Sequence, residues 1–149
     1  MNTLEEYLEI KTNDKEFYIK NNKVIDFNVS NDKFFECVSN DVDIVFNVLN
    51  ISPNKSGYKY FKEAIFIYMT NQNTEKLSMT KQVYPIIAKK FETTSSRVER
   101  ALRHAIEVAW SRGDIDIQNE IFGYTIDPKK GHPTNSEAVA TIADYLKRN

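Results

Sequence analysis

One cysteine, Cys37, and four glycines are all that 149 residues contain of two residue types on which many small architectures depend. A lone cysteine excludes an internal disulfide framework and a multi-cysteine zinc site. Gly57, Gly113, Gly123 and Gly131 stand too far apart to form a phosphate-cradling loop. The two histidines, His104 and His132, fall on different predicted elements, and with one cysteine they make no convincing metal set. Long apolar runs are missing as well. The stretch from Ala64 to Met69 is far shorter than the roughly 20 residues a membrane span needs. Met1 to Glu9 carries acids without the basic-then-apolar order of a signal peptide. No nucleophile has an evident base partner, and Asp114-x-Asp116 sits after a helix end, where acids cap the next helix. These absences predict a soluble, cytoplasmic protein that is not an enzyme and holds no metal or cofactor.

What is present suits one domain, or a domain with a short appendage: 41% hydrophobic and 28% charged residues in a chain of 17.3 kDa. At this size folding removes roughly 68–70% of the unfolded surface, enough for a core without staples. The net charge of -1 is spread unevenly. Residues 1–40 hold five Lys and eight Asp/Glu, whereas residues 78–112 hold seven Lys/Arg and three Glu. A basic island of +4 inside a neutral chain fits an anion-binding face, although a charged helix face can also be merely solvated.

The pattern changes near Asn40. Before it, alternating aromatic and β-branched residues over Glu16–Lys20 and Lys23–Val29 flank Asn21-Asn22, which predicts a short β-hairpin. After it the period is helical. Asn40 or Asp41 caps a first helix carrying Ile44, Val45, Val48 and Leu49. Gly57 precedes a second, with Tyr58, Phe61, Ile65, Tyr68 and Met69 inward. A third runs from a cap at Thr80 to Phe91, with Val83, Ile86, Ile87 and Phe91 inward and Pro85, past its first turn, costing a backbone bond or kinking the entry. A fourth begins among Thr93–Ser96 and ends at Arg112, with Gly113 suited to a left-handed cap. A fifth covers Asp116 to Phe122 and stops at Gly123. Thr134 and Glu137 form a capping box for the last, which reaches Leu146. The expectation is a mainly α, six-helix domain over residues 41–149, preceded by a hairpin segment over 1–40.

The fourth helix carries the functional argument. On a wheel, Val98, Ala101, Leu102, Ala105, Ile106, Val108 and Ala109 share an arc of roughly 160°, leaving Arg100, Arg103 and His104 on the other side with Arg97 at its border. Following a short helix and a turn at Glu92–Ser95, this is the helix-turn-helix arrangement, whose second helix offers its first turns to the major groove. The planar forks of Arg100 and Arg103 match the two acceptors on the guanine edge. Glu99 can accept from a cytosine amino group, or it can close a capping box with Ser96. Hydroxyls of the turn, Ser95 among them, can cap the helix or reach phosphate.

The run from Ala88 to Gly113 closely resembles the effector domain of the stage-zero sporulation response regulators of endospore-forming bacteria. Supporting stretches are Gly57-Tyr58, Glu63-Ala64-Ile65, Tyr84-Pro85, Phe122-Gly123-Tyr124-Thr125 and Pro133–Glu137, so the likeness covers about residues 41–146. The resemblance implies an all-helical, wingless domain on double-stranded DNA carrying a TGTCGAA-like box. It implies base contacts by Glu99 and Arg100, base or phosphate contacts by Arg97, Arg103 and His104, and a backbone hold near Lys81. It also implies polymerase sigma-subunit contact within Ser111–Phe122, with Ser111, Arg112 and Asp116 as candidates. Ile117–Glu120 departs from the family's pattern and weakens that contact. The last helix would pair two copies as a homodimer on adjacent boxes. Family members carry a phosphoacceptor receiver ahead of the effector, for which about 40 residues are too few, so phosphorylation control and Mg²⁺ are not expected. A second reading, from a different class, is an antagonist that engages a full-length sporulation regulator or RNA polymerase. The intact arginine face favours the DNA reading, while the acidic first 40 residues mildly favour the other.

Overall fold

A computed structural model describes residues 17–20, 23–70, 77–123 and 131–148, with side-chain surroundings from residue 36 to residue 146 within those spans. The fold is mainly α. Six helices follow one another: α1 (Phe27–Leu49), α2 (Ser56–Thr70), α3 (Tyr84–Lys90), α4 (Ser95–Arg112), α5 (Ile115–Phe122) and α6 (Asn135–Arg148). From Phe27 onwards the described residues contain no strand. Ahead of α1, Phe17–Lys20 and Lys23–Asp26 are paired antiparallel as a two-stranded sheet of their own. A ladder this short is marginal alone, and the expected hairpin finds no support as a structural unit. Its predicted second strand, reaching Val29, is overturned at its end, since Phe27–Val29 is helical. The first helix likewise does not begin at a cap on Asn40 or Asp41. No proline or glycine interrupts residues 27–49, and the helix passes through Asn40 unbroken.

The helices close around one core, in which Phe46, Phe61, Leu49, Ile65, Ile87, Leu102, Ile106 and Ile142 are fully buried. On α1 the inward face is Val38, Val42, Val45, Phe46 and Leu49. Ile44 is 65% exposed and Val48 42%, so two of the four apolar residues that marked this helix in the sequence face out. Ile86 on α3 is half-exposed in the same way. Aromatic edges interlock beneath α1, with the Phe46 ring 4.7 Å from Phe61 and 5.1 Å from Tyr58.

Local chemistry ends and starts the helices. Asn50, at φ 69°, closes α1: its amide bonds Asn47 O and the Ile51 amide bonds Phe46 O at 2.9 Å, the paired bonds of a Schellman motif. Before α3, Met79–Val83 makes a π-helical turn in which the Val83 amide reaches back to Ser78 O. The cap there is Ser78, which accepts from the Lys81 amide at 3.1 Å, and not Thr80. Widening this turn places Pro85 within the first turn of α3, where its missing N–H is not required. Of the two effects expected of Pro85, the altered entry is the one seen, as the π-helical turn directly ahead of α3. Asp114 caps α5 through the Asp116 amide, and Gly123, at φ 60°, supplies the left-handed stop expected of it. Gly113 does not: its φ is -83°. Glycine is needed there for space, because a Cβ would lie 2.7 Å from Gln118 Nε2 and 2.8 Å from Ala109 O. At α6 the reciprocal capping box forms as read, Thr134 Oγ1 accepting from the Glu137 amide and Glu137 Oε1 from the Thr134 amide.

Two ion pairs tie the first three helices. Lys90 Nζ at the end of α3 meets the buried Glu63 carboxylate of α2 at 2.9 Å. Asp43 on α1 accepts from Tyr58 Oη at 2.5 Å and Lys62 Nζ at 2.8 Å on α2. Burial pushes the Asp43 carboxyl up, but the hydrogen bonds and charge from Lys62 and Tyr58 outweigh it and hold the group below its ordinary value. A carboxylate depressed in the folded state stabilises above the ordinary value of 3.8 and loses that contribution as pH falls through the lower folded value. Asp43→Asn is therefore expected to lower the thermal midpoint at pH 7 and to converge with the parent in strong acid, with a loss under about 1 kcal/mol because solvent screens so exposed a pair. A loss equal at both pH values in thermal melts would refute the assignment.

Candidate nucleic-acid interface

Nucleic-acid reading by a helix requires that helix to be fixed from behind and free in front. Behind α4, Val98, Leu102, Ala105, Ile106 and Ala109 are buried. Gly57 of α2 comes so close that a Cβ there would strike Ala101 O and stand 2.9 Å from Ala105 Cβ. In front, Arg97, Arg100, Arg103 and His104 are exposed.

The connection between α3 and α4 is tight. Glu92, at φ 54°, bonds Lys89 O through its amide, and the Thr93 amide bonds Ala88 O at 2.9 Å, a second Schellman ending. A non-glycine residue in this left-handed region costs roughly 1–2 kcal/mol, and the turn holds it there. Thr94 then caps α4, its Oγ1 accepting from the Arg97 amide at 3.2 Å. Ser95, a phosphate candidate, is the first helical residue and half-buried.

The cap at Thr94 settles one alternative for Glu99. Ser96 is already inside the helix, so Ser96 and Glu99 form no capping box. Glu99 Oε1 instead accepts from Arg103 Nη1 at 2.7 Å, one helical turn on. Arg103 Nε also lies 3.9 Å from Glu107 Oε1, which is 4.0 Å from His132 Nε2. The two residues expected to read bases side by side are thus bound to each other. Arg97 and Arg100 make no ion pair among the described residues, and they lie beside this pair on the first turns of the helix.

The remaining candidates divide by position. Lys81 is exposed on the π-helical turn rather than within α3 proper. Ser111, Arg112 and Asp116 are all exposed, but Arg112 lies about 18 Å along the helix axis from Arg100, so they form a second surface. Ser111 Oγ donates to Val108 O at 2.8 Å, and Arg112 O accepts from Asn50 Nδ2 at 3.3 Å. Within the departing stretch, Gln118 is buried and Ile117 and Asn119 are half-buried, leaving Glu120 as its exposed member. One contributor escaped the sequence reading. Asn135, first residue of α6, donates through Nδ2 to Tyr84 Oη of α3 at 2.9 Å and to Glu99 O of α4 at 3.2 Å. Its only sequence signal was its place in the stretch Pro133–Glu137.

A family model described as sporulation initiation factor Spo0A, C terminal, matches residues 42–146. The chain belongs to the Spo0A C-terminal family. This is a family of DNA-binding effector domains of sporulation regulators rather than of enzymes. The matched span takes in α2 to α5 whole, most of α6 and the last third of α1, with the basic face of α4 inside it. No described helix is long and apolar enough to cross a membrane, and the described residues contain no group of three or more potential metal ligands.

Proposed function

We propose that the chain is a sequence-specific, double-stranded-DNA-binding transcription regulator of the cytoplasm. The observation that carries this reading is the state of α4: capped at Thr94, packed behind by a glycine-close helix, and offering Arg97 and Arg100 with no ion pair among the described residues. In it, Arg100 reads guanine, Glu99 and Arg103 act as a paired unit at base edges, and Lys81, Ser95, Arg97 and His104 meet phosphates. Ser111, Arg112 and Asp116 face polymerase. A single module of this kind covers only about 600–1,000 Å², so tight binding calls for two copies on adjacent boxes.

Fluorescence anisotropy of a TGTCGAA-box duplex against a scrambled duplex, at two salt concentrations, tests the reading. The box is expected to win tenfold or more, and neutralisation of about four phosphates gives a log–log salt slope near -3.6. Equal, weak binding of both duplexes sinks it. Pull-down of a full-length regulator then tests the antagonist reading.

A further inference from the structure

We propose that Asn135 is a positioning residue for DNA reading: its side-chain amide locks α3 and α4 at the angle that presents Glu99, Arg100 and Arg103 together. The inference deepens the DNA-binding reading and rests on it. One amide nitrogen reaches the first residue of α3 and the second turn of α4 from the first residue of α6. Both acceptors belong to the helix-turn-helix, and the donor lies outside it. Glu99 is consequently held twice, by its main-chain oxygen to Asn135 and by its carboxylate to Arg103.

The site is built to be rigid. Thr134 and Glu137 fix the start of α6 by two reciprocal bonds, so the Asn135 backbone has little room to turn. Tyr84 is 7% exposed, and its hydroxyl is the only polar group on its side chain. Burial pushes its ionisation upward, so it meets the amide as a neutral phenol at working pH. Helix packing alone leaves neighbouring helices free to rock by small angles. Two hydrogen bonds from a third element restrict that motion in the part of α4 where an ångström of misplacement separates a bidentate base contact from none.

The test compares the full chain with Asn135→Ala, Tyr84→Phe and the double variant on box and scrambled duplexes, with thermal melts of each. Asn135→Ala is expected to lower the box-over-scrambled preference roughly tenfold, the size that loss of two neutral hydrogen bonds supports. Tyr84→Phe gives a smaller loss in the same direction, and the double variant is no worse than Asn135→Ala. Scrambled-duplex affinity and salt slope stay unchanged. An unchanged preference in Asn135→Ala overturns the proposal, as does parallel loss on both duplexes that tracks the unfolded fraction. Should the parent chain show no preference at all, the DNA-reading function fails, and amide exchange decides the tie separately. Faster exchange at the Arg103 amide, whose acceptor four residues back in an α-helix is Glu99 O, with Ile106 unaffected, sustains the lock. Unchanged exchange at Arg103 removes it.

Discussion

Arg100→Ala should abolish the preference for the box duplex while leaving the fold intact. A bidentate arginine–guanine contact discriminates by about 1–3 kcal/mol, which is about five- to 150-fold in relative affinity. Arg100 is exposed and without an ion pair among the described residues, so its removal breaks no such pair and should move stability by no more than about 0.5 kcal/mol. Salt dependence separates the two ways in which an arginine can matter. A base-reading residue leaves the slope of log K against log salt unchanged, whereas a phosphate-contacting one lowers it by about one. Arg103→Ala is expected to behave differently, because it frees the Glu99 carboxylate that it now neutralises at 2.7 Å. Retention of the preference in Arg100→Ala, measured by anisotropy, would remove this residue from the reading role.

Gly57→Val should unfold the domain or nearly so. Overpacking a core costs about 1–3 kcal/mol when flexible side chains can yield. Here the first atom met is the main-chain oxygen of Ala101, and the next is Ala105 Cβ at 2.9 Å, so α4 as a whole must retreat. A cost at or above the upper end of that range follows, within a total stability of roughly 5–15 kcal/mol. Gly57→Ala, with a single methyl, should fall between the parent and Gly57→Val. Urea melts of the three chains check the order. A Gly57→Val protein as stable as the parent would mean that α2 and α4 are not apposed as described.

How far such features can be read from sequence depends on how local their cause is. The Thr134–Glu137 box, the Asp114 cap and the Gly123 stop were legible because each is complete within a few residues. Caps in hydroxyl-rich stretches were not. Thr93, Thr94, Ser95 and Ser96 are nearly equivalent as caps, and the Schellman ending of α3 at Glu92 selects Thr94. Between Ser78 and Thr80, the π-helical turn makes the choice. On α1 apolar residues occur all round, so periodicity alone could not assign Ile44 to solvent and Phe46 to the core. For the interface, the exposed arginines were legible from the wheel. The Glu99–Arg103 pair was also legible in principle, since four residues separate them, but the competing capping motif obscured it. Asn135 was not, because its two partners lie 51 and 36 residues away and only the fold assembles them.

The Glu99–Arg103 pair also bears on how fast the right sequence is found. A guanidinium with a carboxylate already at 2.7 Å has little to gain from a passing phosphate, since one anion merely replaces another. On the proposed reading, grip on ordinary DNA then falls mainly to the phosphate-facing Lys81, Ser95, Arg97 and His104, and contact times at wrong sequences are expected to stay short. Only a site whose base edges satisfy donor and acceptor together repays opening or sharing the pair. On that reading, a head that carries its own counter-charge is expected to trade some total grip for quicker release elsewhere, which shortens the search.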